Sequence, residues 1–92
     1  MMTYRQALGN VIRETRLEKN LTLRHVSQRG VVALGYLSEV ERGQKEPSSE
    51  LMLCIAHGLD VHVHELIIMA GYRLGFENGY LDAAAFLEGI SN

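Results

Sequence analysis

The stretch from Val26 to Gly43, VSQRGVVALGYLSEVERG, leaves a chain like this few ways to fold. Two short helical patterns meet there at a tight break beside Gly30. Leu23 and Val26 share one face at i, i+3, and Leu37 and Val40 do the same beyond the break, with Val32 leading in and Tyr36 alongside. Helices joined by so short a turn cannot lie antiparallel and must cross steeply. The second is then pushed out as a ridge carrying Leu34, Gly35, Ser38, Glu39 and Arg42, of a diameter that the major groove of duplex DNA accepts.

The flanking sequence reads as further helices and as nothing else. The first helix begins after Thr3, a good N-cap, and runs to about Lys19 with Leu8, Val11, Ile12, Thr15 and Leu17 as its buried stripe. Asn20 is its left-handed stop, closed by Leu21. Thr22 caps the second helix and leaves the backbone N–H groups of Leu23 and Arg24 open. After the ridge, Gly43 reverses the chain, Pro47 ends the segment and Ser48 caps a fourth helix of about Ser49 to Gly58, burying Leu51, Cys54 and Ile55. A fifth, about Val63 to Ala70, buries Val63, Leu66 and Ile67. Asn78-Gly79 reads as a turn, and Tyr80 to Glu88 as a short sixth helix, too short to stand without packing on something. Strand-like alternation is nowhere convincing.

Residues 8 to 68 resemble the XRE/Cro/phage-repressor family of helix-turn-helix domains, through LGNVIRETR, LTLRHVSQ, GYLSEVERGQKEPSSEL and IAHGLDVHVHEL. The third piece is more specific and is similar to the actinobacterial Clp-gene regulators, the ClgR-like subfamily. The resemblance implies an all-α, five-helix, lambda-repressor-like DNA-binding domain over residues 1–71; residues 72–92 lie outside the match and are expected to form a C-terminal extension with a dimerisation helix. It implies a phosphate at the start of the second helix, beside Thr22, Leu23 and Arg24. It also implies an ion pair between Arg16 and Glu41 that fixes the recognition helix against the first. Three positions depart from the pattern. Val31 stands where the turn glycine is usual, Ser27 replaces a small alanine, and Ala33 replaces the capping Ser or Thr of the recognition helix. Either Gly30 supplies a positive φ or Val31 adopts a backbone costly for a β-branched residue.

Composition sets the remaining bounds. At 92 residues the chain is one small domain, and 47% hydrophobic residues support a packed core without staples. One cysteine, Cys54, excludes an internal disulfide and suits a reducing cytoplasm, and no export signal or membrane-length apolar run is expected. The net charge is −2, yet residues 1–47 carry +3 and residues 48–92 carry −5. A basic half can face phosphate while an acidic half faces away. His25, His57, His62 and His64 match no zinc spacing, and no phosphate loop, nucleophile elbow or carboxylate pair points to an enzyme or a cofactor.

The expected function is that of a dimeric transcription regulator on double-stranded DNA. Its DNA-binding set is Thr22, Leu23, Arg24, Leu34, Gly35, Tyr36, Ser38, Glu39, Arg42 and Lys45. Arg42 and Lys45 hold phosphate, Ser38 and Glu39 read bases, and Leu34 meets a thymine methyl. The dimer interface is expected from Ile68, Met69, Tyr72, Leu74, Phe76, Tyr80, Leu81, Phe86, Leu87 and Ile90, more apolar surface than one short helix buries, the alternative being a tail folded back on its own core. By resemblance the targets include Clp protease and chaperone genes through activation. RNA polymerase is then a further partner, although Arg24, His25, Gln28 and Arg29 offer it no acidic patch. The competing reading is a protein-interaction module, an antitoxin or anti-regulator on the same fold, which the net negative charge favours.

Overall fold

The computed structural model describes residues 1–82. Within them the chain forms α1 (Tyr4–Glu18), α2 (Leu23–Gly30), α3 (Leu34–Glu41), α4 (Ser49–Leu59) and α5 (Val63–Glu77), with no strand. The sixth helix expected over Tyr80 to Glu88 lies mostly outside the described residues. Its first three positions, 80–82, are not helical. Phe86, Leu87 and Ile90 also lie outside them.

Each helix ends in the same way. Asn20, Val31, Gly43, Asp60 and Gly79 have positive φ and follow α1, α2, α3, α4 and α5 in turn. Behind each, two backbone N–H groups fold back onto the last turn. Val31 N donates to Gln28 O and Val32 N to Ser27 O, and the same pair of bonds closes at Asn20, Gly43, Asp60 and Gly79. This is the Schellman arrangement, which satisfies carbonyls that a helix end leaves bare. Starts are capped by side chains at α1, α2 and α4. Gln6 N donates to Thr3 Oγ1 while Thr3 N donates to Gln6 Oε1, His25 N donates to Thr22 Oγ1, and Leu51 N donates to Ser48 Oγ. Ala33 and His62 make no such bond.

The ambiguity at the α2–α3 turn resolves at Val31, with φ 55° and ψ 53°. Gly30 cannot take the left-handed position because it is needed elsewhere. A Cβ there would strike the Cys54 carbonyl oxygen, and a Cβ at Gly58 would strike that of Val26. The two glycines let α2 and α4 cross backbone to backbone, leaving the strained turn to valine. Ser27 helps close the turn, its hydroxyl donating to Val32 O at 2.5 Å.

The core is built from the i, i+3, i+4, i+7 stripes: Leu8, Val11 and Ile12 of α1, Val26, Leu37 and Val40 of α2 and α3, Met52, Ile55 and Leu59 of α4, and Leu66 and Ala70 of α5. Several expected core residues fall off those stripes. Leu17 is 50% exposed, about 140° round α1 from Ile12 at the helical repeat. Leu51 and Cys54 flank the true α4 stripe half-buried, Val63 is half-buried, and Ile67 is 47% exposed.

Helix α5 runs on to Glu77 instead of stopping near Ala70, so a division at 71/72 falls inside it. Tertiary contacts carry it past Gly71. Arg73 binds Glu14 with two hydrogen bonds, 2.6 and 3.1 Å. Asn78 and Met2 exchange two more, at 2.9 and 3.0 Å. The Glu14 carboxylate raises the Arg73 pKa above its ordinary value. No single described helix is long and apolar enough to cross a membrane.

Val31 is 84% exposed and buries little, so its left-handed backbone is a net loss. Val31→Gly should raise stability by about 1 kcal/mol in urea unfolding, the relief of strain outweighing the greater freedom of the unfolded chain. Gly30→Ala should lower it by about 1–3 kcal/mol or more. The reverse order would mean that the turn strain and the α2–α4 contact are assigned to the wrong residues.

Candidate nucleic-acid interface

The recognition ridge is α3, and two contacts set its pose against α1. A Cβ at Gly9 would come within 2.5 Å of Val40 O and 2.7 Å of Glu41 O, so the backbones of the two helices touch there. Beside that contact, Arg16 Nε donates to Glu41 Oε2 at 2.8 Å and Nη2 to Oε1 at 2.9 Å. Its Nη1 donates to Leu21 O at 3.1 Å. One guanidinium thus joins α1, the α1–α2 connection and the end of α3. Both side chains are largely buried, at 13% and 6% exposure. The hydrogen bonds that Arg16 donates to Glu41 raise the Arg16 pKa, against a lowering by burial.

The outward face of α3 presents Leu34, Gly35, Ser38, Glu39 and Arg42, with Leu34, Gly35 and Arg42 exposed and Ser38 and Glu39 half-buried. Tyr36 is half-buried against the core, so only part of it is available to a ligand. Thr22 and Arg24 are exposed at the start of α2, while Leu23 packs against the core. Lys45 is exposed in the loop after α3.

Arg42 is not a free cation on a flexible stem. Its Nη1 donates to Ser38 Oγ at 2.5 Å and its Nη2 to Gln44 Oε1 at 3.3 Å. The guanidinium is laid along the ridge, and the Ser38 hydroxyl, already an acceptor, keeps its own O–H and one lone pair to offer. Ser38 and Arg42 therefore act as one unit. A cleft beside them is lined by Asn10, Arg13, Arg16, Leu23, Ser38, Glu41 and Arg42. Asn10 and Arg13 were missed by the sequence reading, although they precede Arg16 at successive three-residue steps and so share its face.

Ile68 and Met69 are each 47% exposed, Tyr72 40%, Phe76 37%, Tyr80 76% and Leu81 38%, while Leu74 is half-buried. Leu81 folds back over Gly75, the Leu81 N donating to Gly75 O at 3.1 Å. The His62 and His64 rings stack at 5.7 Å, and no group of three metal-binding side chains forms among the described residues.

A short helix packed on α1 and α2, joined to α2 by a tight turn and flanked by arginines, defines a helix-turn-helix domain. A family model described as "Helix-turn-helix" matches residues 12–66. The transcriptional regulator ClgR of Mycobacterium tuberculosis is 47% identical over 70 residues, covering 76% of this chain and 62% of its own length. The chain thus spans less than two thirds of that regulator. The crystal structure of the clp gene regulator ClgR from Corynebacterium glutamicum is 39% identical with a TM-score of 0.79, over 95% of this chain and 93% of that one. The restriction-modification controller protein C.AhdI of Aeromonas hydrophila is 31% identical with a TM-score of 0.65, over 67% and 94% of the two chains. The chain belongs to the XRE-type helix-turn-helix family of DNA-binding transcription regulators.

Because the Arg16–Glu41 pair is buried, removing one partner strands the other. Glu41→Ala should cost about 3–5 kcal/mol in urea unfolding. An unchanged midpoint would show that α3 is held by apolar packing alone.

Proposed function

We propose that this chain binds two-fold DNA operators as a homodimer in the cytoplasm and activates genes for Clp proteases and chaperones. The observation that carries the DNA reading is the ridge of α3, clamped by Arg16 and Glu41 so that Ser38, Glu39 and Arg42 face outward together. The clp gene regulator from C. glutamicum, similar over almost the whole chain, supports the choice of targets. Activation brings in RNA polymerase as a partner, which would meet α2, where Arg24, His25 and Gln28 are exposed.

In this reading Arg42 and Lys45 bind phosphate, together with the start of α2 at Thr22, Leu23 and Arg24. Glu39 and the free O–H of Ser38 face base edges, and Leu34 and Gly35 supply apolar contact. Lys45→Ala should weaken all sequences about equally and lower the salt slope of binding by about one for each symmetric phosphate contact. Glu39→Ala should change base preference more than slope. Binding that ignores salt, or that needs a protein partner in place of DNA, would favour the interaction-module reading instead.

The proposed dimer uses the exposed apolar side of α5, where Ile68, Met69, Tyr72 and Phe76 stand. Truncation at Gly71 would be a poor test, since it cuts α5 and removes the Arg73–Glu14 and Asn78–Met2 ties. Ile68→Glu alters a half-exposed side chain and spares the fold. Light scattering should then give a monomer that binds single half-sites but full operators weakly, two recognition helices about 34 Å apart being required for one face of the duplex. A dimer that survives Ile68→Glu paired with Met69→Glu would place the interface elsewhere.

A further inference from the structure

We propose that Asn78 is a modification site at which the chain acts on itself. The Gly79 backbone nitrogen displaces the Asn78 side-chain amide, a clasp to Met2 sets the rate, and the reaction breaks that clasp.

Four asparagines stand in the sequence, at 10, 20, 78 and 92, and Asn78 is the one followed by glycine. The residue after an asparagine decides how readily its amide is lost, because that residue's backbone nitrogen is the nucleophile. Val11 and Leu21 shield theirs with a side chain, and Gly79 has none. Attack on Asn78 Cγ closes a cyclic imide and expels ammonia. Water then opens one carbonyl of the ring or the other, leaving aspartate or isoaspartate at position 78. The sum is amide plus water to carboxylate plus ammonium, with no enzyme, oxidant or cofactor.

The fold holds each reacting group back. Asn78 caps the end of α5 with φ −93° and ψ 5°. At that ψ the Gly79 N eclipses the backbone N of Asn78, whereas ring closure needs it to eclipse Cβ. The Gly79 N is also engaged, donating to Phe76 O at 3.2 Å. The amide is engaged twice, Oδ1 accepting from Met2 N at 2.9 Å and Nδ2 donating to Met2 O at 3.0 Å. Reaction therefore waits on an opening in which Met2 lets go and the last turn of α5 unwinds.

The product cannot rebuild the clasp. A carboxylate has no N–H for Met2 O, and its charge falls at the C-terminus of a helix, next to Glu77, where the dipole disfavours it. Isoaspartate also lengthens the main chain by a methylene. The start of α1 and the end of α5 are then left untied. Met1 and Met2 share a cleft with Gln6, Asn10 and Arg42, so the freed segment lies beside the ridge.

Intact mass and digestion mapping test this on the full chain. Purified protein is incubated in mildly alkaline buffer, native and in urea, and the amide-to-acid mass gain is followed with time. In urea the gain should appear at Asn78 well before Asn10 or Asn20. Native wild type should react about tenfold slower or more, and a chain beginning at Thr3, which lacks the Met2 partner, should regain about fivefold or more of that rate. Glu14→Ala removes the Arg73 tie between the same two helices while keeping Met2, and should speed the native reaction as well. Both variants should match wild type in urea. Asn78→Asp, a direct copy of one product, should melt below wild type. If Asn10 or Asn20 reacts first in urea, Gly79 does not define the site. If native and urea rates agree, or if neither variant outpaces native wild type, the clasp does not set the rate. If Asn78→Asp melts at or above wild type, the reaction does not untie the two helices.

Discussion

The pose of the recognition helix depends on the place where α1 and α3 touch. Gly9 removes the side chain that would keep their backbones apart, and Arg16 closes the gap with two hydrogen bonds to Glu41 and a third to Leu21 O. A buried ion pair contributes little net stability in general, since desolvation offsets most of the attraction. Its use here is geometric. A guanidinium fork accepts a carboxylate in one plane, so it fixes rotation and slide of α3 in a way that Leu37 and Val40 cannot. Those apolar side chains drive α3 onto the core without specifying its angle.

A second constraint acts on the other side of α3. Glycine can relieve a close contact or a left-handed turn, and at this break the two needs fall on adjacent residues. At the α2–α3 break the chain gives its glycine to the α2–α4 crossing and its left-handed turn to Val31. The surrounding structure over-determines that turn: two backbone hydrogen bonds, the Ser27 hydroxyl on Val32 O, and burial of Val32 all converge on it. Local strain is thereby tolerated where the orientation of the ridge is decided.

Much of this was legible in the sequence because it is local. Thr3, Thr22 and Ser48 cap their helices and Asn20 stops one, each through a partner within a few residues. The helix-turn-helix core follows from periodicity alone. The length of α5 was not legible, because the ties that extend the helix join residues 59 and 76 apart in the chain. The choice between Gly30 and Val31 depended on a carbonyl in α4, which no local pattern displays. Asn10 and Arg13 escaped for a similar reason: exposed polar residues on a first helix look like solvent-facing surface until α3 is seen beside them.

The ridge that results is sparing in the groups that usually read bases. Ser38 already accepts a hydrogen bond from Arg42, and Leu34 and Gly35 have none to give or take. Glu39 is left as an acceptor, suited to the amino group of cytosine or adenine and unfavourable near phosphate. In the proposed reading such a surface discriminates by shape and by one or two directed bonds per copy, with Arg42 and Lys45 on phosphate supplying affinity that is blind to sequence. With only +3 on residues 1–47, that affinity is modest for a single chain. Joining two copies through α5 makes the second contact effectively intramolecular and multiplies weak discrimination at each half-site. If α5 joins two copies as proposed, the spacing between their ridges would carry information that neither ridge holds alone.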